Sequence, residues 1–218
     1  MSQPGFSDSN AADQHHLPPE RSGWPLWPLV LIFGALALVL VVWFGFSPQP
    51  STKGELDPSV GQILTSFRLQ PLTGDSHPTT EADLDEKVTL VNFWGPWCGP
   101  CAMEFPHLVE VVAHFRSQPQ FQFFSVASNQ NPHDDHGLAE STAEFLKEFE
   151  ADFPTYRDPD GETANALIRD AKIKEFGFPA TVLLGPGGVI RALWIGYEPG
   201  DENAVRRAIE KELLKRAN

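Results

Sequence analysis

The 218-residue sequence holds only two cysteines, and it has 16 lysines and arginines against 29 aspartates and glutamates. Two cysteines supply half of a four-ligand structural zinc site and leave no framework of several bridges. The formal net charge is −13, and the chain after residue 56 retains 25 acids and 14 bases, or −11. That balance argues against nucleic acid and anionic lipid as partners. No cofactor-binding signature is present, so no cofactor is expected. Asp158 and Asp160 open like a calcium loop, but no glutamate stands at its twelfth position, which leaves a turn.

What is present is concentrated in Trp94-Gly95-Pro96-Trp97-Cys98-Gly99-Pro100-Cys101, which contains both cysteines three residues apart. If a helix begins at the first of them, the two face each other across one turn, with Cα atoms roughly 5 to 6 Å apart and within disulfide reach. Cys98 then stands at the helix N-terminus, where free N–H groups and the dipole favour a thiolate. This makes Cys98 the attacking sulfur and Cys101 its partner one turn inside. Pro100 suits the first turn, where its missing N–H has no intrahelical partner.

The apolar run Val88 to Trp94 predicts a central strand buried on both faces, delivering the chain to the cysteines. The following helix, Cys98 to about Phe115, is apolar at Phe105, Leu108, Val109, Val112 and Phe115, with a kink expected near Met103 because Pro106 lies inside it. Phe121 to Ala127 reads as a second strand. Ser141 with Glu144 forms a capping-box pattern for a helix running to about Glu150, followed by a short strand at Phe153 to Tyr156. A helix from Thr163 to about Lys174 comes next. Strands Ala180–Leu184 and Val189–Tyr197 flank the hairpin turn Gly185-Pro186-Gly187-Gly188, and Asp201 caps a last helix. Phe67 to Leu72 and Thr79 onward, around Gly74-Asp75, suggest an early hairpin. The pattern is a mixed α/β sheet with helices on both faces.

Ahead of this domain, residues 1–23 are polar and read as a disordered tail, with His15 and His16 solvated rather than metal-bound. Leu26 to Phe46 runs 21 residues without a charge, with Trp24, Trp27 and Trp43 near its two ends. At 1.5 Å per residue this spans a bilayer core, so residues 24–46 are expected to be a transmembrane anchor in the lipid bilayer rather than a cleaved signal peptide. The span lacks a Gly-x-x-x-Gly pattern, which favours a monomer. Residues 47–60, with three prolines, three serines and Gly54, read as a linker, and the folded domain is expected over 61–218. His133-Asp134-Asp135-His136 has metal-ligand chemistry, but its crowded spacing reads as a solvated loop, so no metal is expected.

Trp-Cys-Gly-Pro-Cys after an apolar strand resembles the thioredoxin superfamily. The continuation Cys101-Ala102-Met103-Glu104-Phe105-Pro106 is similar to its TlpA/ResA-like branch of membrane-anchored thiol-disulfide oxidoreductases. The resemblance covers about Gly61 to Asn218. It implies a thioredoxin-like fold with an N-terminal β-hairpin extension and a helix–strand insertion at about 138–156. It also implies a redox-active disulfide between Cys98 and Cys101, and a cis Pro179 facing that pair. Trp97, Gly99, Pro100, Phe178 and Pro179 would then meet the substrate. Phe178 departs from the valine common in relatives.

Asn92 stands where thioredoxin carries a buried, titratable aspartate, and Glu104, one turn past Cys101, offers a replacement that shuttles a proton for the second thiol. The flanking charges, Arg21 before the span and Lys53 after it, are nearly silent on orientation. The resemblance places the N-terminus in the cytoplasm and the catalytic domain on the periplasmic side. The implied activity is a reductant of protein disulfides, including apocytochrome c thiols, recharged by a membrane thiol donor and serving cell redox homeostasis. A general reductase or isomerase of exported proteins stays open. So does a copper(I) chaperone using the same two cysteines.

Overall fold

The computed structural model describes residue 29 and residues 31–38, 53–131 and 135–217. The chain divides after residue 48 into two units. In the first, residues 31–38 are helical with exposed apolar side chains such as Leu31, Ile32 and Phe33. Most of the 24–46 span and all of the 1–23 tail lie outside the described residues. Among those that are described, no helix is long and apolar enough to cross a membrane.

The second unit is built on β2 (Val88–Trp94), every residue of which is buried. Strands alternate their side chains between faces. Leu90 and Trp94 therefore enter one hydrophobic cluster, with Asn92 between them on the same face, while Val91 and Phe93 enter the cluster on the other. Parallel β3 (Phe121–Ala127) pairs on one side of β2, and antiparallel β5 (Ala180–Gly185) on the other. With β1 (Gln70–Thr73), β4 (Thr155–Arg157) and β6 (Val189–Ile195), the six-stranded order is β1-β4-β3-β2-β5-β6. Helix α1 (Gly99–Phe115) covers the Trp94 face together with α2 (Leu138–Glu148) and α4 (Asp201–Ala217). Helix α3 (Glu162–Asp170) covers the Phe93 face. The helix–strand unit of α2 and β4 stands between β3 and α3 in chain order.

Three local expectations are corrected. The early hairpin is reduced to a single bridge, Leu69 to Thr79, and β1 instead pairs with β4 at the sheet edge. The second arm ends at once because Thr80 caps a 3-10 turn over Glu81–Leu84, its N–H donating to Asp83 Oδ2 at 2.8 Å. Ser141 does not cap α2, which begins a turn earlier behind Gly137 at φ 69°. Its hydroxyl instead donates back to the carbonyl of Gly137 at 2.9 Å. Helix α3 stops at Asp170, short of Lys174, and Lys172 follows in the left-handed region at φ 55°. Through Pro106, by contrast, α1 continues as one helix of 17 residues.

Residues 53–60, anticipated as spacer, lie on the domain. The carbonyl of Gly54 accepts the Leu193 N–H at 3.0 Å, and Ser59 is buried. Gly61 and Leu64 donate to Ile190 and Gly188, so this segment covers the outer edge of β6.

Candidate active site

The end of β2 delivers the chain into a turn closed by the Cys98 N–H donating to the Gly95 carbonyl at 3.0 Å. Cys98 is the N-cap of α1, extended in backbone, and its Sγ accepts the Cys101 N–H at 3.2 Å. The two sulfurs are joined as a disulfide with Cα atoms 5.2 Å apart. Cys98 is 5% exposed and Cys101 fully buried, so of the two residues only Cys98 meets solvent. Gly99 and Pro100 are exposed on the first turn. Trp97, 43% exposed, folds back so that its Nε1–H donates to the Ser128 carbonyl at 2.9 Å. A side chain at Gly95 would collide with that arrangement, its Cβ falling 2.7 Å from the Ser128 oxygen. Gly95 and Ser128 thus belong to the site. Gly95 lies in the stretch that the sequence singled out, but its contact with Ser128 was not legible there, because it is a packing contact between two loops.

The loop before β5 brings Phe178 and Pro179 to the same end of the sheet, joined by a cis peptide bond. The Phe178 ring stands edge-on to Trp97 with centroids 5.6 Å apart. Pro179 is buried, and Phe178 packs against both hydrophobic clusters.

Beneath the pair lies Glu104, 9% exposed and one turn of α1 beyond Cys101. Its carboxylate accepts from Asn92 Nδ2 at 2.9 Å and from Thr181 Oγ1 at 3.0 Å. Asn92 and Thr181 are directly opposite each other on β2 and β5, and Asn92 Nδ2 also donates to Thr181 Oγ1. Burial pushes the Glu104 carboxyl up to about 7 against these hydrogen bonds, and the charge of Asp201 adds to the rise. Near neutrality a group at that value holds a proton about half the time. Thr181 is the contributor that sequence reasoning missed; its position two residues after Pro179 was the available signal.

Among the described residues no group of three or more His, Cys, Asp or Glu side chains is placed to hold a metal. His15, His16, His133 and Asp134 lie outside them. Asp135 is exposed and paired with Arg157.

A six-stranded mixed sheet, a Cys-x-x-Cys disulfide capping the helix after its central strand, and an X-Pro loop at the same end define the class of thioredoxin-like dithiol–disulfide proteins. The chain belongs to the Redoxin family, whose model matches residues 59–209. It is 27% identical over 156 residues to the thiol-disulfide oxidoreductase ResA of Bacillus subtilis, covering 71% of this chain and 78% of that protein. It is 33% identical over 88 residues to the thiol:disulfide interchange protein DsbE of Pseudomonas aeruginosa, covering 40% of this chain and 46% of the relative. A Chlorobium tepidum crystal structure described as a thiol:disulfide interchange protein DsbE superposes with a TM-score of 0.55 at 26% identity, covering 71% of this chain and 97% of that one. The chain is a thiol-disulfide oxidoreductase of the ResA/DsbE type with Cys98 and Cys101 as its pair.

Proposed function

We propose that the chain is a membrane-tethered, extracytoplasmic reductant of protein disulfides, held by residues 24–46, with apocytochrome c cysteine pairs among its substrates. The observation that carries the chemistry is the buried Glu104 carboxyl one turn from Cys101, with a pKa raised to about 7. In the reduced protein, the Cys98 thiolate attacks one sulfur of a substrate disulfide and forms a mixed disulfide, while the other substrate sulfur leaves as a thiolate and takes a proton. Glu104 accepts the Cys101 proton, and the Cys101 thiolate then attacks Cys98 Sγ. This expels the second substrate thiolate and restores the Cys98–Cys101 disulfide. The substrate gains two electrons, which a membrane thiol donor must return to the enzyme.

Trp97, Gly99, Pro100, Phe178 and Pro179 form the substrate-facing surface, with the backbone before Pro179 pairing with an extended substrate segment. The Gly99-Pro100 pair supports a reducing direction, since it resembles thioredoxin, whose reduction potential lies near −270 mV against about −120 mV for a strong periplasmic oxidant. Equilibrating the full chain in detergent against dithiothreitol and glutathione buffers tests this. A potential near or below about −250 mV is expected. A value above about −150 mV would make the chain an oxidant or isomerase and remove the cytochrome reading.

A further inference from the structure

Phe178 has a second neighbourhood. Beside it, beneath α3, lies a cavity of about 220 Å³. That is below the roughly 300 to 1,000 Å³ of pockets that take drug-sized ligands, and suits one long side chain. Its apolar lining includes Phe93, Phe176 and Phe178. The Phe176 ring stands edge-on to both others, 5.9 Å from Phe93 and 5.7 Å from Phe178. Phe178 in turn meets Trp97, so an unbroken run of rings links the buried end of the cavity to the residue beside Cys98. Ser128, whose carbonyl holds the Trp97 indole, lines the same cavity. The cavity and the disulfide surface are therefore adjacent.

The charged lining is unequal. Asp135, Asp158 and Asp160 face a single guanidinium, Arg157, which is already engaged by Asp135 and by Gln70 Oε1. Asp158 accepts the N–H groups of Thr163 at 2.9 Å and Ala164 at 2.7 Å. Burial nevertheless holds its carboxyl above its ordinary range, so a cation brought near it favours the charged form. Asp160 is exposed, on a left-handed turn at φ 57°. Aromatic walls with an excess of carboxylates suit a side chain that has an aliphatic stem and a cationic head. The stem packs along the rings, and the head is drawn both to their faces and to the carboxylates.

Resting on the reading above, we propose that this cavity receives a lysine or arginine side chain of the substrate polypeptide, near in sequence to the cysteine that Cys98 attacks. It would act as a specificity site, selecting among disulfides that the dithiol alone reduces indiscriminately.

The test uses the full chain and synthetic peptides holding an intramolecular disulfide. Lysine is placed in turn at each position within a few residues of the attacked sulfur, and each peptide is matched by one with uncharged norleucine. Bis(2-hydroxyethyl) disulfide serves as a substrate with no side chain to bind. At one or more positions the lysine peptide is expected to exchange about five- to tenfold faster in kcat/KM than its norleucine partner. The ratio should shrink at high ionic strength and fall toward one in Asp160→Asn, a substitution the left-handed turn accepts without strain. Ratios within twofold at every position, with the small disulfide still reduced, would overturn the site and leave the reductase reading intact. A ratio unchanged by both salt and Asp160→Asn would equally overturn it. If the dithiol proves to be an oxidant, the reduced peptides read the same ratio in the other direction. Failure to exchange with any disulfide would instead remove the function, and the site with it.

Discussion

Among the described titratable groups, Glu104 has the large shift from its ordinary value. Its ordinary value of 4.5 rises to about 7 in the folded domain, chiefly through burial. The unfolded chain therefore loses this proton first, and stability falls as pH rises from about 4.5 to about 7, then levels. The total is roughly 3 kcal/mol at 1.4 kcal/mol per unit. Urea unfolding of the oxidised protein at several pH values checks this, and Glu104→Gln is expected to flatten the profile. The variant has a ready partner, because Asn92 Oδ1 is buried without a hydrogen bond, and a flipped carboxamide can accept from the new side chain. An undiminished slope in Glu104→Gln would move the effect to another group. Asn92 cannot titrate, so the proton chemistry of this site rests on the helix rather than on the strand beneath it. Both identities were readable in the sequence. That their side chains meet depends on Asn92 sharing the Trp94 face of β2, which period-two alternation predicts only after the strand has been placed.

At the scale of elements, patterns failed where two local signals competed. Ser141 and Glu144 match a capping box, yet they stand inside α2, because Leu138 is 1% exposed and draws the preceding turn into the helix. A serine that caps loses about 1 kcal/mol on replacement by alanine. One that bonds back within a helix contributes little. Ser141→Ala is expected to change stability by less than about 0.5 kcal/mol in thermal or urea unfolding. A loss near 1 kcal/mol would restore the capping reading. In α1 the signals agree instead. Cys98 caps, Pro100 occupies the first turn, and Phe105 is fully buried among Trp94, Phe145 and Phe149. This helix was therefore readable almost to its last residue, despite Pro106.

For the molecule as a whole, the decisive contacts join segments distant in sequence. Gly54 lies against β6, and a Cβ there would fall 2.1 Å from the Trp194 ring. Gly54→Ala is expected to cost roughly 1 to 3 kcal/mol with an unchanged urea m-value, because a flat aromatic ring in a packed core cannot withdraw. A neutral result would show that residues 53–60 detach freely. By itself the sequence determined the disulfide pair, the helix it caps, the buried central strand and the Gly-Pro-Gly-Gly hairpin. Each of these depends on residues within a turn or two of one another, where backbone geometry and hydrophobic period act directly. Only the tertiary structure decided that β1 joins β4, that Thr181 completes the Glu104 site, and that Phe178 stands between the disulfide and an acidic cavity. Those outcomes depend on strand order and on which side chains share the limited space at the sheet's end, and no local pattern encodes either.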